Sequence, residues 1–154
     1  MEKFLGETLD SVLDSDYPDF EVIVMDDGSI DESYNLAQQY AQKDARIRAY
    51  EQPNAGACAA RNHAISLAQG EYIFPLDADD KVGSEFFGKA IGVFEADRNK
   101  EIKVVYSRAE FFGDRSGDME VTRFLAATFG AEKYDTHICN VSKGRLDTNR
   151  RLLR

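Results

Sequence analysis

The chain has 154 residues, enough for one domain and hardly enough for two. Apolar residues make up 43% and charged residues 31%, the usage of a soluble globular protein, which excludes an intrinsically disordered chain. Twenty-eight acidic against 19 basic residues give a net charge of −9, so non-specific binding to polyanions such as nucleic acids or anionic membranes is disfavoured. A phosphate-bearing ligand would need a local positive charge, such as a metal ion.

The sequence points to a cytoplasmic protein. It contains no apolar run of roughly 18 or more residues, and its N-terminus lacks the basic and apolar regions of a secretory signal. Cys58 and Cys139 are far apart and match no metal spacing, which favours reduced thiols. His63 and His137 are isolated, so neither a zinc site nor a Ser-His-Asp triad is indicated, and His63 is expected to be structural or exposed.

Predicted helices and strands alternate along the first half of the chain. Residues 3–14 carry apolar side chains at helical spacing, and residues 21–25 (EVIVM) predict a strand covered on both faces. Ser29 and Glu32 have the spacing of a capping box, which predicts a helix beginning near Ile30.

The alternation continues after residue 45. Residues 46–50 predict a strand, residues 53–56 a loop, and residues 57–69 a helix with Gly70 as its C-terminal cap. The remaining predicted elements are a strand over residues 71–76, a helix capped by Ser84, and strands over residues 103–106 and 109–112. We predict a domain over residues 1–112, and a continuation or tail over residues 113–154 that ends in a basic segment.

These elements predict an α/β fold with a largely parallel sheet flanked by helices. In such sheets ligands bind beyond the carboxyl ends of the strands. Two acidic clusters follow predicted strands: Asp26 and Asp27, then Asp77, Asp79 and Asp80. We name them the DDGS turn (residues 26–29) and the DADD turn (residues 77–80).

The three carboxylates of the DADD turn repel one another unless a cation or donor lies between them. Oxygen ligands suit Mg²⁺ or Mn²⁺, and such an ion is commonly shared between one or two carboxylates and substrate phosphates. A solvated acidic turn, or a cap provided by Asp80 for the next helix, would explain the same residues.

The DDGS turn could place a carboxylate where it accepts hydrogen bonds from a nucleobase or a ribose. Alternatively, an aspartate and Ser29 cap the next helix. The turn lacks the glycine pattern of phosphate-binding loops. Arg61, on the helix predicted over residues 57–69, could pair with a diphosphate or brace an aspartate, although a solvent-exposed arginine would look the same in sequence.

The ordered segments EVIVMDDGSIDES and NAGACAARNHAISLAQGEYIFPLDADD resemble the nucleotide-sugar-binding half of family 2 glycosyltransferases, which have the GT-A fold. The resemblance covers roughly residues 4–112. It implies transfer of a sugar from a nucleoside-diphosphate sugar, commonly UDP-linked, to a saccharide or lipid-linked acceptor, with Mn²⁺ or Mg²⁺ as cofactor. It also implies an inverting reaction at the cytoplasmic face of a membrane.

The resemblance also implies roles for individual residues. Asp26 and Asp27 would belong to the base- and ribose-binding turn, and Arg61 would help to hold the nucleotide. Asp77 would contact the ribose or the metal. Asp79 would be the main metal ligand, with Asp80 as its neighbour.

Two family features have no counterpart here. Members normally begin with an apolar strand beside the one predicted at residues 21–25, and inverting members carry a later acidic general base. The available acids, which fall in no recognisable motif, are Glu110, Asp114, Asp118 and Glu120. The sequence therefore also allows a nucleotide- or metal-binding module without turnover. An acidic-site phosphohydrolase is a weaker reading because no lysine partner is evident.

Overall fold

The computed structural model describes residues 1–107, 110–111, 117–118 and 141–143. The helices in this part are α1 (Glu2–Leu13), α2 (Ser33–Lys43), α3 (Ala57–Leu67) and α4 (Phe86–Ala96). The strands are β1 (Val22–Asp26), β2 (Ile47–Glu51), β3 (Tyr72–Ile73), β4 (Val104–Val105), β5 (Glu110–Phe111), β6 (Gly117–Asp118) and β7 (Val141–Lys143). The predicted alternation of helices and strands is confirmed.

The strands β1 and β2 are parallel and lie side by side. Their register runs from Val22 opposite Ile47 to Asp26 opposite Glu51. Since parallel strands end at the same edge of a sheet, the DDGS turn and the loop after β2 start next to each other. This edge carries the first acidic cluster.

Three helices contact β1. Val22 and Val24 pack against a core formed by the buried side chains of Leu5, Leu9 and Ala37, which belong to α1 and α2. The helix α3 contacts β1 as well. Every residue of β1 is nevertheless only half-buried.

A second core lies under α4. Ala90 and Phe94 of this helix are buried together with Val105 of β4. The ring of Tyr72, in β3, stacks on Phe94 with the ring centroids 4.7 Å apart. The strands β3, β7 and β4 form an antiparallel sheet in that order, and β5 pairs with β6 in the same manner. Packing against α4 holds the strand that precedes the DADD turn.

The predicted capping box at Ser29 is wrong. The backbone amide of Ser29 donates to Oδ1 of Asp26 at 2.8 Å, and its side chain makes no cap. The helix α2 begins only at Ser33, whose amide donates to Oδ1 of Asp31 at 3.1 Å. The capping box does not form because the Ser29 amide is hydrogen-bonded to the Asp26 carboxylate, which keeps Ser29 in the turn before the helix.

The predicted cap at Gly70 is also wrong. The helix α3 ends with Ala68 in extended conformation as its C-cap, and the Gly70 amide donates instead to Oε1 of Glu21 at 2.9 Å. The strand β3 covers only two of the six residues predicted for it.

The prediction that Ser84 caps α4 is wrong by one residue. Glu85 is the N-cap of α4, and the carbonyl of Ser84 accepts a hydrogen bond from the amide of Asp16 at 3.1 Å. The predicted basic tail and the acids Asp114 and Glu120 lie outside the described residues, as do His137 and Cys139.

Candidate functional site

The turn after β1 gives its two aspartates different surroundings. The Asp26 carboxylate closes the turn by accepting a hydrogen bond from the Ser29 amide. It also lines a pocket of about 440 Å³ that does not include Asp27 among its lining residues. This pocket is lined by Asp26, Gly28, Ser29, Asp31, Tyr34, Asn35, Glu51, Gln52 and Pro53.

The carboxylate of Asp27 holds the loop that leads into α3. Its Oδ1 accepts from the Ala55 amide at 2.9 Å and from Nε2 of Gln52 at 2.8 Å, and its Oδ2 accepts from the Gly56 amide at 2.8 Å. These donors, the Ala55 amide foremost, hold the pKa of Asp27 below its usual range. Asp27 is therefore an ionised anchor with capacity for one further donor at Oδ2.

Glycine is required where the two loops meet. Gly28 has a φ of +74°, and a Cβ there would lie 2.9 Å from the backbone nitrogen of Asn54. Gly56, the N-cap of α3, has a φ of +90°, and a Cβ added there would meet no other atom within 4 Å. Close approach at the first glycine lets the Asp27 carboxylate reach the amides before α3.

The helix α3 connects the two acidic clusters. Asp27 binds the amides at its start, and Arg61, in its second turn, donates from Nη2 to Oδ1 of Asp77 at 3.0 Å. The side chains of Arg61 and Asp77 are 45% and 65% exposed, so both remain accessible to a ligand. The structure thus brings Arg61 to the DADD turn, where it pairs with Asp77, one of the arrangements that the sequence left open.

The DADD turn is tight. The Asp80 amide donates to the carbonyl of Asp77 at 3.0 Å. Burial raises the pKa of the Asp80 carboxyl, and the negative charges of Asp79 and then Asp77 raise it further. The turn therefore concentrates negative charge that a cation would relieve.

The helix α1 is hydrogen-bonded to the DADD turn and to the residues that follow it, which the sequence did not lead us to expect. The hydroxyl of the buried Thr8 donates to the carbonyl of Ala78 at 2.9 Å. One turn later, Oγ of Ser11 accepts from the Val82 amide at 3.1 Å. Lys81 forms an ion pair with a glutamate of the same helix. Two small hydroxyl residues spaced three apart on one helix face were the available signal.

Gln52 and His63 were also missed as site residues. Gln52 follows directly after β2, at the edge where the DDGS turn begins, and its side chain lies between Asp27 and His63. Its place at that edge was a signal in the sequence, since parallel strands bring such residues together. His63 is exposed, as expected, but it has a specific partner.

The donor set of the DADD turn fits a hard divalent cation. Its carboxylate oxygens are the ligands that Mg²⁺ and Mn²⁺ prefer. In the part of the chain that the structure describes, no three acidic, histidine or cysteine side chains are gathered in a metal-binding arrangement. The turn would thus supply one or two carboxylates, while water and a phosphate ligand would complete the coordination.

The comparison with known proteins identifies the family. The model of the family described as Glycosyl transferase family 2 matches residues 2–148. The chain therefore belongs to glycosyltransferase family 2, and the resemblance stated from its motifs is confirmed.

Two relatives come from Bacillus subtilis (strain 168). The uncharacterized glycosyltransferase EpsJ is 41% identical over 100 residues, which are 65% of this chain and 28% of the relative. The putative teichuronic acid biosynthesis glycosyltransferase TuaG is 44% identical over 79 residues, which are 51% of this chain and 31% of the relative. The chain thus spans less than a third of the length of either relative.

Solved structures confirm the predicted GT-A fold class. The S. aureus TarS 1–349 complex with UDP-GlcNAc has a TM-score of 0.58 and 30% identity, covering 62% of this chain and 28% of that chain. The mannosyltransferase PcManGT from Pyrobaculum calidifontis has a TM-score of 0.59, and the match covers 71% of this chain and 32% of that chain. Its 24% identity supports the fold alone. No helix within the described residues is both long and apolar enough to span a bilayer.

Proposed function

We propose that this chain is the donor-binding part of a metal-dependent, inverting glycosyltransferase that moves a sugar from a nucleoside-diphosphate sugar to a saccharide or lipid-linked acceptor. A UDP-linked donor is supported by the similarity to TarS, whose structure was solved with UDP-GlcNAc. The domain that binds it would comprise residues 1–112, which include every site residue described above.

The observation that carries the proposal is the ion pair between Arg61 and Asp77. It places a guanidinium, the group best suited to phosphate oxygens, beside a turn of carboxylates suited to a divalent cation. In a chain with a net charge of −9, this guanidinium and a divalent cation bound at the turn would together supply the local positive charge that a diphosphate requires. Arg61 would hold the diphosphate, and Asp77 would contact the ribose or the metal.

The remaining aspartates would divide the other tasks. Asp79 would be the main metal ligand, with Asp80 as its neighbour. Asp26 and Asp27 would form the base- and ribose-binding turn, where one acceptor site on Oδ2 of Asp27 is free for a ligand N–H or O–H. A bound Mn²⁺ or Mg²⁺ would supply charge stabilisation for the departing nucleoside diphosphate.

Thermal unfolding of the chain with UDP, with and without Mn²⁺, tests the donor site. Ligand at 100 times its dissociation constant should stabilise the chain by about 2.7 kcal/mol. Asp79→Asn should remove the Mn²⁺-dependent part of this stabilisation, and the matched charge change Asp19→Asn, at an exposed position, should leave it intact. Retention of Mn²⁺-dependent binding by Asp79→Asn would refute the role of Asp79.

A second candidate is a nucleotide-binding module without turnover, because no acid after Asp80 falls in a recognisable general-base motif. Incubation with UDP-sugars and a saccharide acceptor separates the two functions. Transferred or hydrolysed sugar supports the enzyme, while nucleotide binding with no sugar released supports the module. Release of inorganic phosphate from simple phosphate esters would instead support a phosphohydrolase.

A further inference from the structure

The Gln52 side chain bridges two elements of the site. Its Nε2 lies 2.8 Å from Oδ1 of Asp27, and its Oε1 lies 2.8 Å from Nδ1 of His63. A carboxylate can only accept, so the amide nitrogen must face Asp27 and the amide oxygen must face His63. Nδ1 of His63 therefore carries a proton, which fixes the imidazole in a donor state on that side.

The bridge extends from the end of β1 to the second turn of α3. Asp27 belongs to the DDGS turn, Gln52 follows β2, and His63 lies two residues after Arg61 on the helix. The same Asp27 carboxylate also accepts the amides of Ala55 and Gly56. Asp27 thus holds the start of α3 directly, through these two amides, and is itself held by the Gln52 side chain.

Neither Gln52 nor His63 contributes much to a core. Gln52 is half-buried and His63 is exposed. When the Gln52 amide is lost, the Asp27 carboxylate still accepts from the amides of Ala55 and Gly56, and water can take the vacated position, so we expect the stability of the fold to change only slightly. The effect of Gln52 and His63 is expected in the orientation of the carboxylate and of the helix.

We propose that Gln52 and His63 are positioning residues of the donor site. His63 orients the Gln52 amide. Gln52 in turn holds the Asp27 carboxylate, which binds the amides at the start of α3. This fixes the position of α3, the helix on which Arg61 pairs with Asp77 of the DADD turn. The consequence for donor affinity rests on the proposed function; the effect on the loop does not depend on any ligand.

Two measurements on the full chain test this proposal. The first is hydrogen–deuterium exchange of a peptide spanning residues 53–58 without ligand. Gln52→Leu, which keeps the volume but loses both hydrogen bonds, should speed exchange at Ala55 and Gly56 by about three- to tenfold. Gln38→Leu, at an exposed position of α2, is the matched control and should leave exchange unchanged. Unchanged exchange in Gln52→Leu would overturn the proposal.

The second measurement is the dissociation constant for UDP with Mn²⁺, beside the unfolding temperature. Gln52→Leu should weaken binding by about three- to tenfold with an almost unchanged unfolding temperature, and His63→Leu should weaken it less. Because His63 acts through Gln52, adding His63→Leu to Gln52→Leu should cause no further loss. His63→Asn, which keeps a donor, should restore binding.

Additive losses from the two leucine variants, or a failed rescue by His63→Asn, would overturn the link through Gln52. A wild-type chain that binds neither UDP nor another nucleoside diphosphate would overturn the proposed function and with it the effect on donor affinity. Faster exchange in Gln52→Leu would in that case still support the positioning of the loop, so the two failures are distinguishable.

Discussion

The guanidinium of Arg61 donates to Oδ1 of Asp77 across 3.0 Å and thereby joins α3 to the DADD turn. Both side chains are substantially exposed. An exposed ion pair contributes little to stability because water and salt screen it and because two long side chains lose freedom. The geometry therefore matters mainly for what the pair can bind.

Removing the charge of Arg61 should impair binding and spare the fold. For Arg61→Gln we expect UDP affinity to fall by about tenfold and the free energy of unfolding to change by less than about 1 kcal/mol. Titration calorimetry and urea unfolding measure the two quantities. Arg98→Gln removes the same charge at an exposed position and serves as the control. Equal losses of affinity in both variants would point to a general effect of net charge.

Removing the hydroxyl of Thr8 should disturb the DADD turn. Thr8→Val keeps the shape but leaves the carbonyl of Ala78 without its donor, which should cost about 1–2 kcal/mol of unfolding free energy. The Mn²⁺-dependent part of UDP binding should weaken as well. Thr8→Ser retains the hydroxyl and should retain metal-dependent binding despite the lost methyl group. If the two variants bind alike, the Thr8 hydroxyl has no influence on the turn.

Glu21 lies at the end of the sheet opposite the site, and we expect it to make the free energy of unfolding depend on pH. Burial raises the pKa of its carboxyl, but the amides of Gln69 and Gly70 and the guanidinium of Arg48 outweigh that effect and hold the pKa below the ordinary value of 4.5. A lowered folded-state pKa adds stability above the unfolded value, and this stability is lost as pH falls through the folded value.

The corresponding substitution is Glu21→Gln. We expect it to destabilise the chain at neutral pH by about 1.5–3 kcal/mol, the range for hydrogen bonds to charged groups. The difference from the wild type should shrink as the pH falls below 4.5. Urea unfolding at successively lower pH measures this difference. A difference that stays constant with pH would contradict the assignment to the carboxylate charge.

Alanine should be tolerated worse at Gly28 than at Gly56. Both have positive φ, so each substitution should cost about 1–2 kcal/mol in backbone strain. Only at Gly28 would the added Cβ meet the backbone nitrogen of Asn54, at 2.9 Å, and the two loops would have to move apart. Urea unfolding of Gly28→Ala and Gly56→Ala gives the comparison. Equal costs would show that the close approach of the loops does not limit stability.

Periodicity in the sequence was sufficient to place most helices and strands. The spacing of apolar residues in α1 and the β-branched run of β1 predicted both elements, because such patterns report a buried face directly. Caps were harder to predict. Ser29, Gly70 and Ser84 each have the right residue type for a cap, but each is taken by a different partner in the folded chain.

The sequence by itself determined that two acidic clusters follow strands and that the chain has the motifs of its family. Tertiary structure decided which donor each acceptor of the site meets: the Ala55 amide, which donates to the Asp27 carboxylate, lies 28 residues from it, and Thr8, which donates to the carbonyl of Ala78, lies 70 residues from it. Local patterns report burial and turns between neighbours in the chain. Pairings over such separations arise only when packed helices and adjacent strands bring the groups within hydrogen-bonding distance.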